Sequence, residues 1–399
     1  LFSIQQPQYI IGDNTYNSLG CNKSQQFYKF EACKTSSPFD KIITTKYQTM
    51  LLHGNELYGL GTPTNYSLGS SFTFTSPAKI PFFQNKNVID FGVGTYHTIV
   101  LLQDGSIYTQ GSNNYNQLGR SGSSYPSKVV LNLDSDESIK QVGAIQNVSY
   151  IVTNKRIYAS GQCTNGLCAQ SDIVLANFTS LQLPQSTYIQ KAFFFEHNLV
   201  FKATNYNFYG TGRNYEGQLC TGSYTQFIKQ FTKMNLGSTV EKLAININTS
   251  LHLTYNNQLS FCGDDESGGS EQYYPTTIDT DEFYNIKDIA VYGESWVVVD
   301  QEKTYQITPN TQEWKKQKLV QEGMTNVTAS SSGLIIFSTI SQTTQQSEDD
   351  DELESDIFGF TILAFVVAQI AILLTLCVQC NKIKLMKKRD AKPVAENKV

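Results

Sequence analysis

Eight cysteines, four histidines and one acidic loop are the places in this 399-residue chain where chemistry would have to originate. Six of the cysteines (Cys21, Cys33, Cys163, Cys168, Cys220, Cys262) form an even set compatible with three disulfides in an oxidising compartment. Cys163 and Cys168 bracket a short Gly-containing loop, TNGL, and are the first expected pair; Cys21 with Cys33 is the second. Cys220 and Cys262 are left to pair with each other or to stay as buried thiols. No CxxC pair occurs among these six and the histidines are scattered, so their spacing supports no zinc site, and neither metal nor cofactor is expected. Residues 263–269 (GDDESGG) offer Asp264, Asp265 and Glu266 to a cation such as Ca²⁺, but the alternating ligand ladder of a calcium loop is missing and a solvated turn is the simpler reading. The GxG fragments at Gly59–Gly61 and Gly210–Gly212 lie within strands and their turns and are not phosphate loops. No nucleophile is spaced with a His and an acid, so the chain is expected to be non-catalytic. Asn22, Asn65, Asn147, Asn177, Asn248 and Asn326 each begin an N-x-S/T sequon, although a chain this rich in Asn, Ser and Thr yields several by chance.

Charge and hydropathy divide the chain. Apolar residues make up 40% and charged ones only 16%, which excludes a disordered polyelectrolyte or a coiled coil. Residues 341–356 carry seven acids and no base, and residues 381–399 carry seven bases and two acids, leaving 23 bases against 26 acids in residues 1–340. That near-neutral main part lacks the basic footprint of a nucleic-acid binder, so nucleic acid is not an expected partner. Between the two charged segments, residues 357–380 (IFGFTILAFVVAQIAILLTLCVQC) run 24 residues without a formal charge. As a helix this stretch would be about 36 Å long and would span a bilayer, with Gln369 as its polar interior residue. Lys382, Lys384, Lys387, Lys388 and Arg389 follow it closely, which places the tail in the cytoplasm and the large domain outside, a type I orientation. Cys377 and Cys380 at that edge suit palmitoylation or plain lipid-facing packing. Such a topology calls for a signal peptide. A chain that begins at Leu1 without a leader reads as one from which the signal has been removed, or as a fragment starting mid-chain.

What must position the loops is a repeat. An aromatic or polar residue stands three before a glycine in YIIG, YGLG, YTQG, YASG, YGTG and SFCG, ending at Gly12, Gly61, Gly111, Gly161, Gly212 and Gly263, so that successive glycines are 49, 50, 50, 51 and 51 residues apart. A degenerate copy, YQIT, occupies residues 305–308. A second element follows several of the glycines: DNTYNSLG, SNNYNQLG and RNYEGQLC, with weaker TPTNYSLG and QCTNGLCA. Ahead of the glycines stand an apolar run and a tight turn, as in TIVLLQDGSIY and TMLLHGNELY, a hairpin signature. One hairpin about every 50 residues predicts an all-β, seven-bladed propeller of four-stranded blades over residues 1–340. Residues 9–12 lack an apolar strand before them, and residues 333–340 (GLIIFSTI) lack a YxxG after them, so the last strand is predicted to pair with the first and close the ring.

Residues 94–119 (GTYHTIVLLQDGSIYTQGSNNYNQLG) resemble the repeat of the regulator of chromosome condensation family, and the resemblance extends over about residues 5–340, weakest in the last copy. It implies the seven-bladed ring but no single function, because such propellers serve as exchange factors, scaffolds, inhibitors and binding ectodomains. It also implies that His97, followed by Thr98, ties neighbouring loops by hydrogen bonds, with Asn147, Thr249 and Glu294 at corresponding places. Exchange on a small GTPase, the founding activity of the family, is disfavoured by the type I topology and by the absence of a basic arm in residues 1–11. The expected function is therefore a membrane-anchored extracellular or luminal propeller that binds a protein or glycan, as receptor or adhesion module. The alternative is a structural subunit of a larger membrane complex, in which Gln369 would pack against neighbouring helices.

Overall fold

Each strand–turn–strand unit of the sequence folds as an antiparallel hairpin, and four strands in chain order make a blade. The computed structural model describes residues 9–12, 39–63, 66–69, 73–237, 239–264, 271–278, 283, 285–292, 295–301, 303–308, 315–320, 326–329 and 333–337. After β1 (Tyr9–Gly12), the first blade comprises β2 (Lys41–Thr44), β3 (Gln48–His53), β4 (Glu56–Gly61) and β5 (Phe74–Lys79). The second comprises β6 (Val88–Val93), β7 (His97–Leu102), β8 (Ile107–Gly111) and β9 (Ser127–Val129). The third is β10 (Ile139–Ile145), β11 (Val148–Thr153), β12 (Ile157–Cys163) and β13 (Ile173–Ser180), and the fourth is β14 (Ile189–Phe195), β15 (Asn198–Ala203), β16 (Phe208–Arg213) and β17 (Phe227–Lys233). The fifth holds β18 (Val240–Ile245), β19 (Thr249–Thr254), β20 (Leu259–Gly263) and β21 (Gln272–Ile278), and the sixth β22 (Asp288–Tyr292), β23 (Ser295–Val299), β24 (Thr304–Thr308) and β25 (Lys315–Val320). β26 (Asn326–Ala329) and β27 (Gly333–Phe337) complete the set.

Seven four-stranded blades were predicted, and the structure corrects that number. Among the described residues six sheets are four-stranded, and the last sheet has three strands in the order β1-β27-β26. Its register, Tyr9↔Ile336 to Gly12↔Gly333, joins the first described strand to the last and closes the ring. The YIIG strand occupies the third position of this sheet, as YTQG does in the second blade; residues 13–38, which follow it in the chain, are outside the described residues. The degenerate YQIT copy is β24 of the sixth blade.

Second strands such as β7, β11 and β15 are buried at every residue because a blade has a neighbour on both faces. The core is accordingly a series of seams between blades. Met50 and Leu68 of the first blade pack with Phe91 and Val100 of the second, and Leu251 and Phe261 of the fifth pack with Ile289 and Trp296 of the sixth. First strands of successive blades meet one another along an inner wall. There the Lys41 Nζ reaches Asp90 Oδ1 at 2.5 Å, the Val142 amide donates to Asp90 Oδ2 at 2.9 Å, and Lys242 pairs with Asp288 at 3.1 Å.

The chain divides into two units, Leu1–Ile340 and Ser341–Val399. All described residues belong to the first. The expected acidic stalk 341–356, transmembrane helix 357–380 and basic tail 381–399 lie outside the described residues, as do Cys21, Cys33, Asn22 and Asn65. Among the described residues no helix is long and apolar enough to cross a membrane.

Candidate functional site

The repeated residues exist to hold loops. Antiparallel order places the loops joining strands one to two and three to four of every blade on one rim of the ring. The glycine that ends the third strand makes this arrangement possible. At Gly61, Gly111, Gly161, Gly212 and Gly263 the φ angle lies between +97° and +125°, and a Cβ would stand 2.1–2.4 Å from the carbonyl oxygen of residue 47, 96, 147, 197 or 248. Only glycine fits both demands. Beyond it, the SNNYNQLG element folds onto itself: Asn113 Oδ1 accepts from the Leu118 amide at 3.0 Å, and Gln117 Oε1 accepts from the Tyr115 amide at 2.9 Å. RNYEGQLC repeats the pattern, with Asn214 Oδ1 to the Leu219 amide at 2.8 Å and Gln218 Oε1 to the Glu216 amide at 3.2 Å. Leu68, Leu118, Leu167 and Leu219 are the apolar plugs of these loops, each buried.

Each loop then docks on the following blade. Ser149 of the third blade donates to the Gln117 carbonyl at 2.7 Å, and His97 Nε2 lies 2.9 Å from the same hydroxyl. Gln146 Nε2 meets His197 Nδ1 at 2.8 Å, linking the third and fourth blades. Arg213 stacks on Tyr215 at 4.4 Å and donates to the Ile247 carbonyl of the fifth blade at 2.9 Å, a carbonyl that Gln218 also reaches at 2.6 Å. Arg120 spends its guanidinium on the Thr109, Ser123 and Tyr125 carbonyls at 2.8, 3.0 and 2.8 Å, which fixes the loop that carries Tyr125.

On this braced rim, aromatic rings point outward. Tyr115, Tyr125, Tyr224, Ile247 and Tyr274 are exposed, Tyr125, Tyr224 and Tyr274 by 55, 59 and 62%. Tyr66 packs against Tyr125 at 5.0 Å between ring centroids, and Tyr224 meets Tyr273 edge-on at 6.0 Å. The tyrosines are amphipathic side chains with few torsions to freeze, mounted on the braced loops or, for Tyr273 and Tyr274, at the start of β21.

Residues 88–117 match the regulator of chromosome condensation (RCC1) repeat. The second blade of this propeller thus carries an RCC1-type repeat. An RCC1 repeat-containing protein of Dictyostelium discoideum is 27% identical over 205 residues, covering 47% of this chain and 42% of its own length. The propeller superposes on human WBSCR16 with a TM-score of 0.67 at 13% identity, over 84% of this chain and all of that one. It superposes on Prp20p of Saccharomyces cerevisiae, a protein described by its binding to Gsp1p and histones, with a TM-score of 0.65 at 14% identity, over 90% of this chain and 96% of that one. The chain thus spans less than half of the curated relative, and the structural likenesses speak to fold.

Within the propeller His97 is a seam residue. Ser149 gives its proton to the Gln117 carbonyl, so the His97 Nε2–H donates to Ser149 and Nδ1 is left without a partner. Burial pushes the His97 pKa down to about 3, and the neutral ring lies over Gly94, where a Cβ would come within 2.1 Å of Cε1. A ring held neutral and bonded only to structural groups is no proton shuttle. The position opposite the repeat glycine is held by Gln48, His97, Val148, Asn198 and Thr249 in blades one to five. Thr249 was placed correctly by sequence, Asn147 precedes the true equivalent by one residue, and Glu294 lies outside the described residues. Gln48 and Asn198 were missed, although counting thirteen or fourteen residues back from each glycine finds them.

The cysteines fall into two arrangements. Cys163 and Cys168 are bridged within the third blade's loop with Cα atoms 5.2 Å apart. Cys220 and Cys262, left open by the sequence, are bridged across the fourth and fifth blades with Cα atoms 5.6 Å apart. His252 stands beside that second bridge, a grouping that spacing along the chain did not reveal. Of the sequons, Asn177 is exposed on β13; Asn147 and Asn248 are half-buried in first-to-second-strand loops, and Asn326 lies on β26. In the acidic loop, the Asp264 carbonyl accepts from the Thr249 hydroxyl; Asp265 and Glu266 lie outside the described residues. The case against a small GTPase partner drew on residues 1–11 and 357–380, almost all outside the described residues, so nothing in the propeller itself excludes one.

Proposed function

We propose that this chain is a non-catalytic, single-pass type I membrane protein whose propeller, outside the cytosol, recognises another protein through the aromatic rim. The observation that carries the reading is the pairing of exposed Tyr125 and Tyr224 with loops held rigid by Arg120, Asn113, Asn214 and Gln218. Anchors that are ordered before binding lose little entropy on binding. The apolar 357–380 segment between an acidic and a basic flank supports the anchoring and its direction. The likeness to Prp20p supports a protein, in preference to a glycan, as the partner class.

The test is extraction of the full chain from its native membrane in mild detergent, followed by mass measurement and identification of co-migrating chains. A receptor runs alone and captures a separate partner that a Tyr125→Ser, Tyr224→Ser variant loses. A fixed multi-chain particle that survives the double variant would replace this reading with that of a structural subunit. A chain exposed to the cytosol in a protease-protection assay would overturn the orientation.

A further inference from the structure

The fifth blade departs from its neighbours at one buried spot. Three residues beyond the glycine-facing position of the second strand, blades one to four carry Leu51, Val100, Ile151 and Phe201, all buried, each opposite a tyrosine: Tyr58, Tyr108, Tyr158 or Tyr209. The fifth blade has His252 opposite Ser260 instead. Ser250 and His252 of β19, with Ser260 and Cys262 of β20, alternate onto one face of the hairpin, and Cys220 from the fourth blade's loop docks on it. A polar set has been placed where the repeat asks for hydrocarbon.

Its geometry is that of a ligand set. Cys220 Sγ, Cys262 Sγ and a ring nitrogen of His252 lie within 4.8 Å of one another, and all three residues are fully buried. His252 Nε2 is 3.5 Å from Cys220 Sγ, about the separation of sulfur and nitrogen ligands around a tetrahedral zinc. Ser260 Oγ lies 3.2 Å from Nδ1, so a ring that donates Nδ1–H there turns the Nε2 lone pair inward, the outer-shell arrangement usual for a ligating imidazole. Ser250 Oγ, 2.9 Å from Nε2 and 3.7 Å from Cys220 Sγ, stands beside them as a neutral fourth donor.

We propose that, once the Cys220–Cys262 bridge is reduced, Cys220, Cys262 and His252 bind one zinc-class divalent cation, so that the same seam is locked by a disulfide under oxidising conditions and by a metal under reducing ones. A dithiol or phosphine supplies two electrons and the S–S bond breaks to give two thiols. The reductant leaves as cyclic disulfide or, with water's oxygen, as phosphine oxide. The cation then displaces one proton from each thiol, and two S–metal bonds replace one S–S bond.

The full chain in mild detergent is reduced anaerobically with a water-soluble phosphine, freed of reductant and titrated with Co²⁺. One equivalent is expected to develop a sulfur-to-cobalt charge-transfer band with strong tetrahedral visible bands, displaced by Zn²⁺ and absent from the unreduced chain. His252→Ala weakens binding at least tenfold, Cys262→Ser removes most of the charge-transfer intensity, and Cys163→Ser with Cys168→Ser leaves both unchanged. In the wild-type chain, where no variant need fold, Zn²⁺ slows alkylation of Cys220 and Cys262 by N-ethylmaleimide at least tenfold, as read by peptide mass spectrometry. The proposal is overturned if the reduced chain shows no saturable one-to-one signal, if protection maps to other cysteines, or if the signal survives loss of both Cys220 and Cys262.

Discussion

Two seams of the ring solve one problem with different chemistry. Between the second and third blades, the loop after β8 is held to β11 by the Gln117 carbonyl, the Ser149 hydroxyl and His97, at 2.7 and 2.9 Å. Between the fourth and fifth, the equivalent loop after β16 is joined to β20 by the Cys220–Cys262 bond. The strand register repeats, since Ser149 and Ser250 hold the same place relative to the glycine. The side chains are not. What the repeat conserves is the position of a loop, and whichever contact secures it is open to change. The third blade sharpens the contrast: Ala169 occupies the position of Cys220, and the preceding Cys168 is bonded to Cys163 five residues away, stiffening its own loop and leaving docking to Thr211, whose hydroxyl reaches the Gly166 carbonyl at 2.6 Å.

The largest expected effect separates the two bridges. Chain-entropy reasoning gives about 4 kcal/mol for a bond closing the 42-residue separation and about 2 kcal/mol for the 5-residue one. Denaturant unfolding without reductant should show Cys220→Ser with Cys262→Ser losing about twice as much stability as Cys163→Ser with Cys168→Ser; equal losses would break the distinction. At the hydrogen-bonded seam, His97→Ala removes one buried bond and leaves a void, at a cost of about 2–3 kcal/mol in the same assay. A loss under 1 kcal/mol would mean that the Thr98 hydroxyl, 2.8 Å from the Ser67 carbonyl, carries that region instead.

The hydrogen-bonded seam should also respond to acid. The His97 pKa is about 3 when folded against 6.5 unfolded, so between those values the unfolded chain binds the extra proton. The stabilisation is complete above pH 6.5 and lost as pH falls towards 3, with a slope of up to about 1.4 kcal/mol per pH unit from this group. Unfolding free energies measured from pH 7 to 5 should carry that slope in the wild type, and His97→Gln should reduce it; an unchanged slope would place the acid sensitivity elsewhere.

Much of this was legible in the chain. The period of 49 to 51 residues, the hairpins and the closure of β1 on β27 follow from apolar runs and glycines, which are local signals. The number of four-stranded sheets was not, because outer strands such as β13, with most residues exposed, carry little apolar pattern to read. The Cys220–His252–Cys262 cluster was invisible for a different reason. Its members are 32 and 10 residues apart and come together only when two blades dock, so no motif spacing encodes them. Aligning the repeats would have exposed the anomaly, since His252 stands where Leu51, Val100, Ile151 and Phe201 are buried.

The smallest effect on folding belongs to the rim, and it tests whether seam and surface are separate. Tyr125 and Tyr224 contact mainly Tyr66 and Tyr273, and their exposure leaves little apolar area to lose. Changing both to serine should leave the unfolding midpoint unchanged, unlike any change at the seams, yet weaken capture of the partner by at least tenfold if they are its anchors. Arg120→Ala makes the complementary case. It keeps every exposed ring but releases the carbonyls of Thr109, Ser123 and Tyr125, so binding should fall through loss of order in the loop. Amide exchange along residues 112–126 would then rise in Arg120→Ala and stay protected in the tyrosine variant. If both variants loosened the loop alike, the tyrosines would be bracing the rim, and the division between a rigid scaffold and a replaceable binding surface would fail at this blade.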